Sequence, residues 1–225
     1  MKFAVLRFPG SCDEVDAMMA CRRFGAADLI WHGDRDLGGP DAVVVPGGFS
    51  YGDYLRAGAI ARFSPAMEAV SEFALAGGPV LGICNGFQVL CEAGLLPGAL
   101  LPNVSLRFIC RQVDVEVANS DTPFTRACAG GDRLSIPVKH TTGRYYAPEA
   151  ALDELEAGGQ VVLRYGAGQN PNGSSRDIAG VCNAQRNVMG LMPHPEHAVD
   201  RLTGSDDGGR LFASIAAHVE QLVPA

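Results

Sequence analysis

Short apolar runs, each followed closely by glycine or proline, mark the first half of the chain. Runs of this kind are typical of strands that are buried on both faces of a parallel sheet. We predict strands at 2–7 (KFAVLR), within 41–48 (DAVVVPGG, where the glycines begin a loop) and at 79–83 (PVLGI). The first half of the sequence therefore indicates an α/β fold rather than an all-helical one.

Segments with apolar residues at helical spacing separate these strands. They predict helices at about 13–24, 65–78 and 86–96, with a last helix at about 208–222. Ser11 and Glu14 have the spacing of a capping box, which favours a helix start at this point. The alternation of strands and helices predicts a central, mostly parallel sheet flanked by helices.

The pattern changes after residue 110. QVDVEVA (112–118) alternates apolar and acidic residues, as a half-exposed strand does. Further strands are predicted at 134–139, 160–165, 178–183 and 187–192. We find no linker-like stretch, so the prediction is one domain over residues 1–225.

Composition narrows the class of protein. The 225 residues are 47% hydrophobic and 19% charged, with a formal net charge of −7, and an acidic chain disfavours nucleic acid and anionic membranes as partners. No stretch has the length of a membrane span, and no signal-peptide core is present. Seven scattered cysteines without a C-x-x-C pair predict reduced thiols, a cytoplasmic location and no metal site.

One cysteine differs from the others in its context. Cys84 lies between Gly82 and Gly86, after an apolar strand and before a helix, which is the cysteine form of a nucleophile elbow. The start of a helix favours a thiolate. The other six cysteines are interpreted as packing residues.

A thiolate nucleophile needs a proton carrier, and His194 is the best candidate among five histidines. It follows an apolar strand between two prolines, and Glu196 stands two residues later, where a carboxylate can orient the imidazole. We interpret His32 as structural and His218 as a solvated surface residue. His140 is interpreted as a loop residue, open to substrate or interface contact.

The third requirement is an oxyanion site. In an elbow one donor is the backbone N–H that follows the nucleophile, here that of Asn85. The Gly47-Gly48 pair follows another buried strand and is the candidate for the second donor, although a simple tight turn explains it equally well.

The chain also resembles a known family. The resemblance to class I glutamine amidotransferases lies in PGGFSYGDYLRAGAIAR (46–62), LGICNGFQVL (81–90), NVSLRF (103–108), NPNGS (170–174) with IAGVCN (178–183), and MGLMPHPE (189–196). More narrowly, these segments resemble the glutamine-hydrolysing subunits of phosphoribosylformylglycinamidine synthase. The resemblance implies a single-domain class I glutamine amidotransferase-like fold.

The resemblance also implies roles for residues. Cys84 would be the nucleophile, His194 the acid–base group and Glu196 its orienting partner, with oxyanion amides from Gly48 and Asn85. The substrate glutamine would be held by Gly47, Gln88, Asn103, Ser105 and Phe108. For Gln88 the spacing agrees, because residues four apart share a helix face.

The implied partner is an ATP-dependent synthetase subunit, which would receive ammonia and hold ATP and Mg. No cofactor is expected on this chain, which has no G-x-x-x-x-G-K-[ST] loop. Whether a small third subunit joins stays open. Two other readings also remain: a stand-alone cysteine hydrolase, such as a γ-glutamyl hydrolase or peptidase, and a catalytically silent binding module.

Three segments depart from the family pattern. Ser11-Cys12 is one residue shorter than usual, and His197 stands where arginine is common. The segment 140–145 reads HTTGRY in place of HGEGRY, and we expect it near the synthetase partner.

Overall fold

The computed structural model describes residues 1–222. Its strands are β1 (Lys2–Arg7), β2 (Ala26–Trp31), β3 (Ala42–Val45), β4 (Val80–Ile83), β5 (Ala99–Pro102), β6 (Ile109–Val117), β7 (Arg133–His140), β8 (Thr142–Tyr146), β9 (Val161–Tyr165), β10 (Ile178–Cys182) and β11 (Val188–Leu191). Its α-helices are α1 (Glu14–Cys21), α2 (Pro65–Leu75), α3 (Asn85–Glu92), α4 (Glu149–Ala157) and α5 (Gly209–Leu222).

A central sheet of nine strands, in the order β2-β1-β3-β4-β11-β10-β9-β6-β7, organises the described residues. The first five strands in this order pair in parallel, and the other pairings are antiparallel. Because β10 and β6 alone run against the rest, most strands point the same way. The predicted α/β class, with a mostly parallel sheet flanked by helices, is confirmed. A separate two-stranded sheet pairs β5 with β8.

The parallel half of the sheet forms the centre of the core. β3, β4 and β11 are buried along their whole length, which explains their unbroken apolar sequences. Since β4 is paired on one side with β3 and on the other with β11, the loops that follow these three strands leave the same edge of the sheet. In doubly wound sheets this edge carries the ligand site.

Most predicted elements lie within a few residues of the observed ones. Four elements have no counterpart in the predictions: β2, β5, β8 and α4. β2 (AADLIW) and β5 (ALLP) are mostly apolar, but both strands are short and largely uncovered, and neither stretch alternates as a half-exposed strand does. The predicted domain of 1–225 extends three residues past the described chain.

The predicted capping box at the first helix is wrong. The Ser11 hydroxyl instead accepts a hydrogen bond from the Phe8 N–H (2.9 Å), and α1 begins at Glu14. Asp13 occupies the N-cap position, yet its carboxylate caps nothing. That carboxylate is therefore free to serve elsewhere. None of the helices in residues 1–222 is both long and apolar enough to cross a membrane.

Candidate active site

Cys84 sits on a sharp turn between β4 and α3. Its backbone angles (φ 50°, ψ −102°) lie outside the commonly populated regions, as is typical of a nucleophile held on an elbow. Gly86 makes this turn possible, because a Cβ at that position would lie 1.9 Å from the Val45 carbonyl oxygen. The close approach of α3 to β3 thus places the sulfur at the start of a helix, where a thiolate is favoured.

His194 follows β11, the parallel neighbour of β4, so both side chains emerge at the same sheet edge. The buried imidazole lines the same cavity as Cys84. Its Nδ1 lies 2.6 Å from Oε1 of Glu196, and its Nε2 has no hydrogen-bond partner within residues 1–222. Because Glu196 accepts from Nδ1, Nε2 is the nitrogen available to exchange a proton in the cavity.

The electrostatics favour a charged imidazole. Burial alone would lower the pKa of His194, but the charge of Glu196, then the charge of Cys84, and the hydrogen bond to Glu196 raise this pKa to about 10. The site thus stabilises a protonated imidazole in the cavity that Cys84 also lines. A cysteine and a protonated histidine in one cavity can combine a nucleophile with a proton donor for a leaving group.

Two backbone N–H groups near Cys84 are free to bind an oxyanion. Asn85 is the first residue of α3, so its N–H has no acceptor within the helix. Gly48 forms an antiparallel bridge with Ser11 in which the flanking residues carry both hydrogen bonds: Cys12 donates to Gly47 and Phe49 donates to Gly10. The Gly48 N–H is therefore left unused at the cavity wall.

The cavity itself encloses about 110 Å³ and is lined by polar and aromatic groups. Gln88 and Phe108, for which the resemblance implies contact with the substrate, are among them. The Gln88 side chain donates to the Thr142 carbonyl and accepts from the Asn85 amide (2.8 Å), so its position is fixed from both sides. A pocket of this kind can take a small amide substrate with polar ends.

Asn103 and Ser105 are not on the cavity wall. The amide of Asn103 is fully used inside the protein, since it donates to the Arg107 and His140 carbonyls (both 2.9 Å) and accepts from Gly143 (3.2 Å). Ser105 is exposed, and its hydroxyl accepts from the Arg107 N–H at 3.4 Å. Gly47, Asn85 and Glu196 lie directly behind the wall and support the residues that line it.

His140 is not a loop residue, which corrects the sequence-based interpretation. It ends β7, is buried, and its ring lies between Asn103 (Oδ1 at 3.0 Å) and Asn172 (Nδ2 at 3.4 Å). Burial, and secondarily the charge of His194, lower the pKa of His140 to about 3. The ring is therefore neutral, with Nδ1 donating and Nε2 accepting. Residues 140–142 line the cavity.

Several residues of the cavity wall have no counterpart among the predicted ones, including Cys12, Asp13, Asp53 and Lys139. Asp13 and Lys139 both line the cavity, and the Lys139 ammonium contacts Oδ1 of Asp13. Asp13 follows the end of β1 at the same sheet edge as Cys84, and that placement was the signal that could have revealed it. Cys12 is also on the cavity wall and exposed, and Cys110 is exposed, so neither is a packing residue.

The acids and histidines here form a compact group. Asp13, His194, Glu196 and His197 place polar atoms within 4.8 Å of one another, close enough in principle to surround a cation. The Lys139 ammonium and the His194 imidazolium already balance the two carboxylates. We assign no metal to this group.

A cysteine on an elbow, a histidine–glutamate pair facing it and free amides beside it define a hydrolase of the cysteine amidotransferase class. Residues 1–209 match the model of the CobB/CobQ-like glutamine amidotransferase domain family. The "Phosphoribosylformylglycinamidine synthase subunit PurQ" of Frankia casuarinae is 59% identical over 216 residues, covering 95% of this chain and 92% of the relative. The same subunit of Rubrobacter xylanophilus is 58% identical over 218 residues, covering 96% and 98%.

Solved structures give a consistent result. A chain from the structure of PurLQS from Thermotoga maritima aligns with a TM-score of 0.89 at 43% identity, covering 97% of this chain and 98% of that one. A glutamine amidotransferase from Thermotoga maritima shares the fold (TM-score 0.56, 17% identity, 99% and 92% covered). The chain belongs to the glutamine amidotransferase family and, within it, to the family of phosphoribosylformylglycinamidine synthase subunits PurQ.

Proposed function

We propose that this chain is the glutaminase subunit of phosphoribosylformylglycinamidine synthase. It hydrolyses glutamine to glutamate and ammonia, and the ammonia converts formylglycinamide ribonucleotide to formylglycinamidine ribonucleotide in purine biosynthesis. The observation that carries the proposal is the pairing of Cys84 with His194 in one cavity, with Glu196 2.6 Å behind the imidazole. We further propose that residues 1–225 act as one glutaminase domain.

The first half of the reaction forms a thioester. The Cys84 thiolate attacks the side-chain carboxamide carbon of glutamine, and the negative charge on oxygen is held by the amides of Gly48 and Asn85. One such donor contributes about 3–4 kcal/mol to transition-state stability in a known protease. His194 then donates its Nε2 proton to the departing nitrogen, which leaves as ammonia.

The second half returns the enzyme to its starting state. Neutral His194 takes a proton from water, the hydroxide attacks the thioester carbon, and glutamate leaves as the thiolate forms again. Glu196 stabilises the imidazolium at each stage and fixes which nitrogen faces the cavity. Gln88, with its amide anchored on both sides, positions the polar end of the substrate.

The partner in this proposal is the synthetase subunit, which binds ATP and Mg and consumes the ammonia. Support comes from the 43% identity to a chain of the PurLQS structure and from the full-length match to PurQ subunits. We include a small third subunit in the proposed complex. A cytoplasmic location is part of the same proposal, and it fits seven cysteines that are all free thiols.

The direct test replaces the nucleophile. Cys84→Ala should abolish glutamate release in the assembled complex, while Cys110→Ala, an exposed cysteine outside the cavity, should retain it. Addition of free ammonia should restore nucleotide amidation in the Cys84→Ala complex, because the synthetase is untouched. Glutamate release by Cys84→Ala at the parental rate would refute the proposal.

The same assay separates the other two readings. A stand-alone hydrolase would act equally fast with and without partner, whereas a glutaminase subunit should accelerate when synthetase, ATP and nucleotide substrate are added. A silent binding module would leave Cys84 unlabelled by a glutamine-mimicking electrophile. The intact geometry of Cys84, His194 and Glu196 favours the glutaminase.

A further inference from the structure

Asp13 places a second carboxylate beside His194. The Asp13 side chain is buried, and its Oδ2 lies 3.7 Å from Nδ1 of His194, on which Glu196 also acts. Its other oxygen, Oδ1, lies 3.2 Å from Nε2 of His197 and contacts the Lys139 ammonium. Asp13 therefore links the His194 imidazole to His197 and Lys139. The reaction proposed above gives Asp13 no role.

Gly47 is shaped to admit this arrangement. A Cβ at position 47 would lie 2.5 Å from Oδ2 of Asp13 and 2.7 Å from Cε1 of His194. The Asp13 and Cys12 N–H groups both donate to the Gly47 carbonyl (3.3 Å each). These bonds fix the Asp13 backbone against the Gly47-Gly48 loop that follows β3. The backbone contacts at Gly47 thus hold the Asp13 carboxylate beside the His194 imidazole.

Lys139 brings a positive charge to the same cavity. Its carbonyl oxygen lies 3.8 Å from the Cys84 sulfur, and its half-buried side chain lines the cavity and reaches Asp13. Burial alone would lower the pKa of Lys139, but the hydrogen bond and charge of Asp13, with the charges of Glu196 and Cys84, raise it. The ammonium is therefore charged and acts on the thiolate–imidazolium pair.

Asp13 is charged as well. Burial alone would raise the pKa of its carboxyl, but the hydrogen bond from His197 and the positive charges of His194 and Lys139 hold that pKa well below its usual range. The charged and titratable groups around His194 or on the wall of its cavity are Glu196, His197, Asp13, Lys139, Cys84, His140, Cys12 and Asp53. Burial raises the pKa of Asp53 to about 6, so this carboxyl is a further titrating group that every variant keeps. Within this set, Asp13 and Lys139 contribute one negative and one positive charge in direct contact.

We propose that Asp13 and Lys139 are a balanced pair of positioning residues that sets the pH range in which the Cys84–His194 pair is active. This inference rests on the proposed glutaminase function and adds to it two residues outside the Cys-His-Glu set. Asp13 holds Lys139 in the cavity and supports the imidazolium, and Lys139 offsets the charge of Asp13 on the thiolate.

The pair has a signature that a purely structural role lacks. Loss of a negative charge makes protonation less favourable at both Cys84 and His194, so Asp13→Asn should move the whole pH–rate profile to lower pH. Loss of a positive charge acts in the other direction, so Lys139→Met should move the profile to higher pH. The double variant should return close to the parental position, because both charges are gone. Each single shift should be about one pH unit.

The experiment measures two profiles on the full chain. One is glutamate release by the assembled complex against pH, and the other is the rate of Cys84 alkylation by iodoacetamide, followed by peptide mass spectrometry so that Cys12 and Cys110 are distinguished. Asp121→Asn and Arg186→Met are matched controls, because they remove the same charges from an exposed ion pair and should shift neither profile. Lys139→Arg, which keeps the charge, should keep the parental profile.

The outcomes separate the two proposals. Opposite shifts in the single variants, with cancellation in the double variant, support the inference. Shifts of the same sign, or falls in rate at an unchanged pH midpoint, overturn it. If Asp13→Asn does not fold, the comparison of Lys139→Met with Lys139→Arg decides alone. An assembled parental complex without glutaminase activity would refute the proposed function, yet the alkylation profiles would still test the charge pair.

Discussion

Two buried histidines stand close together in this protein and have opposite protonation states. His194 faces the carboxylate of Glu196, and its pKa is raised to about 10. His140 lies between the side-chain amides of Asn103 and Asn172, and its pKa is lowered to about 3. Both rings are equally hidden from solvent, so burial does not explain the difference.

The difference lies in what the partners offer. A carboxylate stabilises the protonated imidazole through its charge, whereas an amide network needs one ring nitrogen as donor and the other as acceptor. The proposed reaction therefore uses His194 to transfer a proton, whereas neutral His140 is hydrogen-bonded on both ring nitrogens and supports the segment 140–142 that lines the cavity. In the proposed reaction, histidine therefore serves once in proton transfer and once as a support for the cavity wall.

The largest expected effect on glutamate release comes from giving His194 an amide partner in place of its carboxylate, since His140 is held by amides. Glu196→Gln replaces the carboxylate with an amide, which removes the charge that stabilises the imidazolium and stops fixing its tautomer. We expect glutamate release to fall about 10³-fold or more, as it does when the acid of a serine protease triad becomes an amide. Steady-state kinetics at several pH values measure this, with Glu116→Gln on the exposed side of β6 as control. A fall of less than tenfold would contradict the assigned role.

A second variant disturbs the geometry of the His194 site without touching its charges. Gly47→Ala adds a Cβ that meets Asp13 and His194 at less than 3 Å. The imidazole must shift, and misplacement of a catalytic group by about 1 Å costs about 10²-fold in rate. Turnover should therefore fall by about that factor while the melting temperature changes little. Gly130→Ala, where a Cβ meets nothing within 4 Å, should leave both unchanged.

The converse change makes the partners of His140 resemble those of His194. Asn172→Asp places a carboxylate where the amide donates to the Gly143 carbonyl (2.8 Å) and the Tyr165 hydroxyl (3.2 Å). These lost donors and a buried charge should lower the free energy of unfolding by about 2–3 kcal/mol at pH 8. Urea titration measures the loss, which should shrink at pH 6 as His140 and the new carboxylate share a proton. Asn183→Asp, with no histidine beside it, should show no such pH dependence.

The smallest effects concern the parental chain. Folded His140 releases its proton, so the unfolded state binds more protons between about 3 and 6.5 and stability should fall as pH falls through that range. Asp13, whose pKa is lowered, adds to the acid loss. Folded His194 retains its proton, so stability should fall as pH rises from about 6.5 towards 10. Each group contributes a slope of about 1.4 kcal/mol per pH unit at most. Urea midpoints across pH 4–10 that stay flat would contradict both assignments.

Much of the parallel half of the sheet could be predicted from the sequence, because strands that are buried on both faces have unbroken apolar sequences. β3 and β4 were visible for this reason, and Cys84 was visible from the glycines that flank it. The elements β5 and β8 were not, since they pair with each other outside the main sheet. β5 (ALLP) is apolar but only four residues long, and β8 (TGRYY) has no apolar run. The role of His140 was also hidden, because it depends on Asn103 and Asn172, which lie far away in sequence and meet it only in the fold.

Asp13 illustrates a different limit. Its sequence position is that of a helix N-cap, for which aspartate is a favoured residue, and that local explanation conceals a carboxylate turned towards the catalytic centre. Sequence patterns describe neighbours along the chain, whereas the environment of His194 is assembled from four separate loops and strand ends. The histidine–glutamate pair was predictable because its members are two residues apart.

The close contact between Gly86 and the Val45 carbonyl limits which mutations at position 86 a second mutation can suppress. A side chain at position 86 would meet a main-chain oxygen, an atom that every amino acid at position 45 carries. No second-site substitution at 45 removes this obstacle, so a Gly86→Ala allele should yield no suppressor there in a genetic selection for purine prototrophy. Revertants should restore glycine itself.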